Sequence, residues 1–100
     1  MARKAQRRDT FRMAQPPITI AEVRKSLASN VRRIRAGRFA QEALALEAGL
    51  DRTMVSKIER GVTSPSLESI VKIANVLGVG VHDLLQPAAE DPPAGKRRGL

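Results

Sequence analysis

Arg52, Thr53, Ser56 and Lys57 are the residues of this chain whose types and spacing point most directly to chemistry. If Arg52 to Arg60 forms a helix, they occupy its positions 1, 2, 5 and 6 and share one face. Arg and Lys donate to guanine O6 and N7, and Thr can set its methyl against that of thymine, so such a face suits base edges in a major groove. On an isolated helix the same four residues would read as an ordinary solvated face. The elements around them decide between the two readings.

Asp51 is a good N-cap for a helix over Arg52 to Arg60, whose apolar Val55 and Ile58 sit three apart on the reverse side. Gly61 ends it as a C′ glycine. Just upstream, Gln41 to Ala48 (QEALALEA) places Leu44, Ala45 and Ala48 on one side, and Gly49 offers positive φ without steric cost before Leu50 turns the chain inward. The two segments read as short helices joined at a steep angle by a glycine turn. Further along, Ser64 as cap and Pro65 in the first turn predict a helix to Leu77, with Leu67, Ile70, Val71, Ala74 and Leu77 inward and Gly78 as its stop. Val81 to Leu85 predicts a short last helix. At the other end, Thr19 with Glu22 three residues on forms a capping box that opens a helix with Val23, Leu27, Val31 and Ile34 in one stripe. No repeat and no strand is apparent, so the expected fold is all-α with five helices.

Gln41-Glu42, Leu44-Ala45, Ala48-Gly49, Val55-Ser56, Ile58-Glu59-Arg60-Gly61, Ser64-Pro65-Ser66-Leu67 and Leu77-Gly78-Val79 together resemble the repressor/Cro (Xre-like) helix-turn-helix family. The pattern runs through the fourth and fifth helices over roughly residues 27 to 86, far beyond a single helix-turn-helix spacing. Two departures stand out. Ala40 occupies the place where such proteins usually carry a Ser or Thr cap, and the link over residues 36–40 is one residue shorter than the commonest family form. The missing cap costs roughly 1 kcal/mol.

The resemblance implies that Arg52, Thr53, Ser56 and Lys57 contact bases, and that Gln41 clamps a phosphate at the start of its helix, where exposed N–H groups and the positive dipole end also attract an anion. A surface glutamine chosen for helix propensity is the plainer alternative. Arg60, Thr63, Ser64 and Ser66 lie where donors can meet flanking phosphates, although capping explains Ser64 equally well. Arg35 and Arg38 complete the expected phosphate set. Glu59 is out of place on a basic DNA-facing helix. In the family the matching glutamate pairs with an arginine of the first helix, for which Arg35 is the candidate here.

Composition agrees with an acidic polymer as partner. The net charge of +8 is concentrated upstream: residues 1–18 carry five Arg/Lys against Asp9, and residues 19–36 carry five against Glu22. Neutralising phosphates with such groups releases condensed counterions. A solubility tail is the bland reading of the same charge. Residues 1–17, Arg- and Gln-rich and ending in Pro16-Pro17, are expected to be a disordered basic arm, and residues 87–100 a disordered tail, leaving one domain over 18–86. That domain is near the lower size limit for an independent core.

Other function classes fare badly. The absence of cysteine removes disulfides and thiolate metal sites, and suits a reducing cytoplasm. No apolar run is long enough to span a bilayer, and the N-terminus lacks a signal peptide's apolar core. His82, the sole histidine, stands beside Asp83 without a carboxylate cluster, so a surface or capping role outweighs a catalytic one. No catalytic residues, metal ligands or cofactors are expected. The sequence thus points to a DNA-binding transcriptional regulator acting on double-stranded DNA as a homodimer. An antitoxin with a toxin partner, a restriction–modification controller and a protein-docking adaptor on the same fold are the alternatives.

Overall fold

The computed structural model describes residues 16–88. The expected basic arm and C-terminal tail lie outside the described residues, apart from positions 16–17 and 87–88. Five helices follow in chain order: α1 (Ile20–Arg35), α2 (Gln41–Ala48), α3 (Arg52–Arg60), α4 (Leu67–Leu77) and α5 (Val81–Leu85). There is no strand among the described residues.

The Thr19–Glu22 capping box forms at the start of α1, with the Glu22 amide donating to Thr19 Oγ1 at 3.2 Å. It allows α1 to run 16 residues, so the α1 N-terminal half extends past the region where the helix-turn-helix pattern begins. Gly49 takes φ 70, and the Leu50 amide returns to the Ala45 carbonyl at 2.8 Å. That left-handed residue reverses the chain between α2 and α3 within three positions, which only glycine does cheaply.

Leu27 and Val31 of α1, Leu44 of α2, Val55 and Ile58 of α3, Ile73 and Leu77 of α4 and Leu84 of α5 meet in one core. Helix α1 packs on α3 and α5, α2 on α3 and α4, and α4 on α5. Each short helix therefore gains stability from tertiary burial rather than from its own propensity. The α2–α3 pair is clamped between the two longest helices.

The structure corrects three sequence expectations. Helix α4 begins at Leu67, not Pro65, because Ser66 is its cap and accepts from the Ser69 amide at 3.1 Å. Ser64 is thereby released to accept from Arg24 Nε at 2.8 Å. Leu67 and Val71, expected inward, are 74 % and 43 % exposed, while Ile73, unforeseen, is fully buried. Ile70, Ile73, Ala74 and Leu77, at i, i+3, i+4 and i+7, form the buried stripe of α4, which packs on α2 and α5. Asp51 occupies the N-cap position of α3 but makes no side-chain capping bond. Ala40, as its side chain dictates, also leaves the α2 terminus uncapped.

Candidate nucleic-acid interface

Helix α3 is amphipathic in a way that separates support from display. Val55, Ile58 and Glu59 are buried on its inner side. Arg52, Thr53, Lys57 and Arg60 are exposed on its outer side, with Ser56 half-buried among them. Among the described residues neither Arg52 nor Lys57 forms an ion pair, whereas Arg60 Nε reaches Ser56 Oγ at 3.4 Å. The four residues singled out from the sequence are therefore neighbours on one accessible, cationic face.

Glu59 is 3 % exposed and is the centre of a polar network beneath that face. Arg35 donates to it twice, from Nε at 2.5 Å to Oε2 and from Nη2 at 2.8 Å to Oε1. Gln41 Nε2 donates to Oε1 at 2.9 Å. The remaining edge of the Arg35 guanidinium donates from Nη1 to the Phe39 carbonyl at 2.8 Å, which ties the α1–α2 link to the same pair. The hydrogen bond to Glu59 holds the Arg35 pKa above the ordinary arginine value, against the opposing effect of burial and with Coulombic attraction adding to it. Arg32 Nη1 donates to the Glu59 backbone carbonyl, one of the free carbonyls at the α3 C-terminus. An acid that looked misplaced on a basic helix is thus the anchor that holds three elements in register.

Of the expected phosphate set, Gln41 and Arg35 come together through Glu59. Arg60, Thr63, Ser64 and Ser66 follow one another from the end of α3 to the start of α4. Arg38 stands elsewhere: its Nη1 donates to the Leu77 carbonyl at 3.1 Å, and its guanidinium lies 5.5 Å from the Phe39 ring centre. It caps the far end of α4, about 16 Å along the helix axis from Ser66.

Two polar contacts were not foreseen from the sequence. Asn30 is fully buried and donates from Nδ2 to the carbonyls of Leu84 and Gln86, at 2.8 Å each, while its Oδ1 accepts from Arg33 Nη2 at 2.8 Å. A polar residue within the Leu27–Val31–Ile34 stripe was the available signal. Arg24, with its bond to Ser64, was the other, and its only signal was charge. His82 is 81 % exposed at 3.3 Å from Asp83 Oδ1, and no group of three or more His, Cys, Asp or Glu suited to a metal occurs among the described residues. No helix of the described residues is long and apolar enough to cross a membrane.

An all-helical bundle that displays a short basic helix after a glycine turn, braced from beneath by an acid–arginine pair, defines a helix-turn-helix DNA-binding domain. A helix-turn-helix family model matches residues 31–84, and the chain belongs to the Cro/Xre-type family of DNA-binding transcriptional regulators. It is similar to a hypothetical transcription factor of Neisseria meningitidis, 43 % identical over 69 % of this chain and 66 % of that protein, so the likeness spans just under two thirds of that relative. It is also similar to control protein C.BamHI of Bacillus amyloliquefaciens, 45 % identical over 63 % of this chain and 80 % of that one. Among solved structures, the hypothetical transcription factor NHTF from Neisseria superposes with a TM-score of 0.64 at 37 % identity, covering 82 % of this chain and 86 % of that one. The restriction–modification controller C.AhdI of Aeromonas hydrophila superposes with a TM-score of 0.58 at 35 % identity, covering 61 % and 94 %.

Proposed function

We propose that this regulator binds a specific operator as a homodimer, with α3 in the major groove and no catalytic chemistry of its own. Arg52, Thr53, Ser56 and Lys57 read base edges, and Gln41, Arg35, Arg38, Arg60, Thr63, Ser64 and Ser66 contact phosphates. The observation that carries the reading is the outer face of α3, where Arg52, Thr53 and Lys57 stand exposed while Val55, Ile58 and Glu59 hold the other side in the core. A helix so anchored presents side chains in fixed register, which base-edge recognition requires. A closed two-fold dimer sets two such helices against a two-fold site. Arg35 acts in two ways, bracing Glu59 and standing next to Gln41 at the α2 terminus.

Within the family, a restriction–modification controller is the favoured subclass over an antitoxin, because one similar solved structure carries that name and a relative 45 % identical is named a control protein. The protein works in the cytoplasm, where its double-stranded DNA partner is. Selection of bound duplexes from a random pool, followed by titration of the winning site, tests the proposal. Arg52→Ala or Lys57→Ala should each cost roughly 1–3 kcal/mol on the selected site and relax preference at one base pair. Equal losses on selected and random duplexes would remove the base-reading assignment. Salt-insensitive binding to a protein partner, with no duplex selected, would favour the docking adaptor instead.

A further inference from the structure

We infer that Arg24, in the N-terminal extension of α1, forms with Ser64 a further phosphate-binding site that lengthens the contact with the DNA backbone. The inference rests on the DNA-binding reading above and adds a residue that precedes the family-matched segment 31–84.

Four observations carry it. Arg24 lies 40 residues from Ser64 in sequence, yet its Nε donates to Ser64 Oγ at 2.8 Å. That bond engages one edge of the guanidinium; the Nη groups make no protein hydrogen bond among the described residues, leaving a two-nitrogen fork for an oxyanion. Arg24 springs from a fixed stretch of backbone: the residue is half-buried, and α1 at Arg24 and Ala28 passes against Gly61 at the end of α3, where a Cβ would come within 3.7 Å of the Arg24 carbonyl and of Ala28 Cβ. Finally, the place is continuous with the proposed base-reading face. Ser56, Arg60, Thr63 and Ser64 lead from that face to Arg24, and the Arg60–Ser56 contact links the row at its start.

A purely structural role is the competing account, in which Arg24 simply ties α1 to the α3–α4 link. The two accounts differ in a measurable way. A tie contributes in free protein, and its loss shows in melting. A phosphate contact contributes only on DNA and releases about 0.9 counterion per contact. Other charges of α1 illustrate the structural alternative. Arg32 and Arg35 direct their N–H groups to Glu59 and Phe39, and Arg33 to Asn30. Arg24 differs in that its protein partner is a hydroxyl, which can itself turn its proton toward a phosphate oxygen while still accepting from the guanidinium.

The experiment compares full-length wild type, Arg24→Ala and Arg24→Lys by fluorescence anisotropy on the selected operator duplex and on a duplex of unrelated sequence, across a salt series, with thermal melts alongside. Arg24→Ala should lower the slope of log K against log salt by about 0.9 on both duplexes, which near 0.1 M salt corresponds to roughly eightfold weaker binding, with the melting temperature essentially unchanged. Arg24→Lys should recover most of the slope and only part of the affinity, because a point charge replaces the fork. An unchanged slope in Arg24→Ala with wild-type binding intact, or a loss confined to melting, would overturn the site and leave the regulator reading standing. A wild-type chain that bound neither duplex would overturn that reading, and this site with it.

Discussion

Glu59 and Arg35 offer the sharpest test of how the interface is held, because the pair is asymmetrically buried. Glu59 is 3 % exposed and Arg35 17 %, and the carboxylate accepts two hydrogen bonds from Arg35 and one from Gln41. Removing one member of a buried pair typically costs about 3–5 kcal/mol, mostly because the other is left uncompensated. For Glu59→Ala the survivor is Arg35, which keeps its bond to the Phe39 carbonyl and is partly exposed to water. That relief brings the expected cost down to about 2–4 kcal/mol. For Arg35→Ala the survivor is a carboxylate almost without solvent and with Gln41 as its remaining side-chain donor, so the cost belongs at the upper end, about 4–5 kcal/mol. At roughly 4–8 °C per kcal/mol for a domain of this size, Glu59→Ala should melt about 10–30 °C lower than wild type. The Arg35→Ala, Glu59→Ala double variant should be more stable than Arg35→Ala alone, since it removes the stranded charge. Urea and thermal denaturation followed by circular dichroism supply all four corners of the cycle. Single losses below about 1 kcal/mol that simply add would mean the pair is solvated like a surface ion pair, and the anchoring argument would fall. The folded-state pKa of Arg35 lies above its unfolded value. Its contribution is therefore complete below the ordinary arginine pKa and is lost only as pH rises through the still higher folded value, so alkaline titration to about pH 10 should leave the contribution of the Arg35 titration unchanged.

Other expectations follow from single contacts. Asn30→Asp should destabilise more than Asn30→Ala, because an aspartate cannot donate to the Leu84 and Gln86 carbonyls and buries a charge beside them; both variants should lose about 2 kcal/mol or more in urea melts. Gly49→Ala meets no atom within 4 Å, so its cost is the left-handed backbone alone, about 1 kcal/mol by the same measurement, and a neutral result would contradict the φ of 70 as a requirement of the turn. Deleting residues 1–16 should weaken binding to all duplexes about equally and flatten the salt slope by up to about 0.9 for each phosphate no longer neutralised, with little change in melting temperature; unchanged affinity and slope would reduce the arm to a solubility tail.

The helices were legible in the sequence because their signals are local. Thr19 and Glu22 close a capping box within one turn, Gly49, Gly61 and Gly78 each stop a helix at a left-handed residue, and Val55 with Ile58 marks the inner side of α3. The Arg35–Glu59 contact was reachable only through family resemblance, since nothing in 24 residues of separation announces it. The start of α4 was misplaced because Ser64-Pro65 and Ser66 are equally good local signals; in the fold Ser66 caps the helix and Ser64 accepts from Arg24 instead.

What the sequence determined on its own is the set of five helices and the side of α3 that carries Arg52, Thr53, Ser56 and Lys57, since helical periodicity and capping depend on neighbours within four residues. What only the tertiary structure decided is the use to which each charge is put. Arg24, Arg32, Arg33, Arg35 and Arg38 are equivalent on a charge count, yet one meets a serine hydroxyl, one a helix-end carbonyl, one a buried asparagine, one a buried carboxylate and one the far end of α4. An arginine reaches acceptors across elements as readily as within its own, so which acceptor it finds depends on helix crossing and burial, and these exist only once the chain is packed.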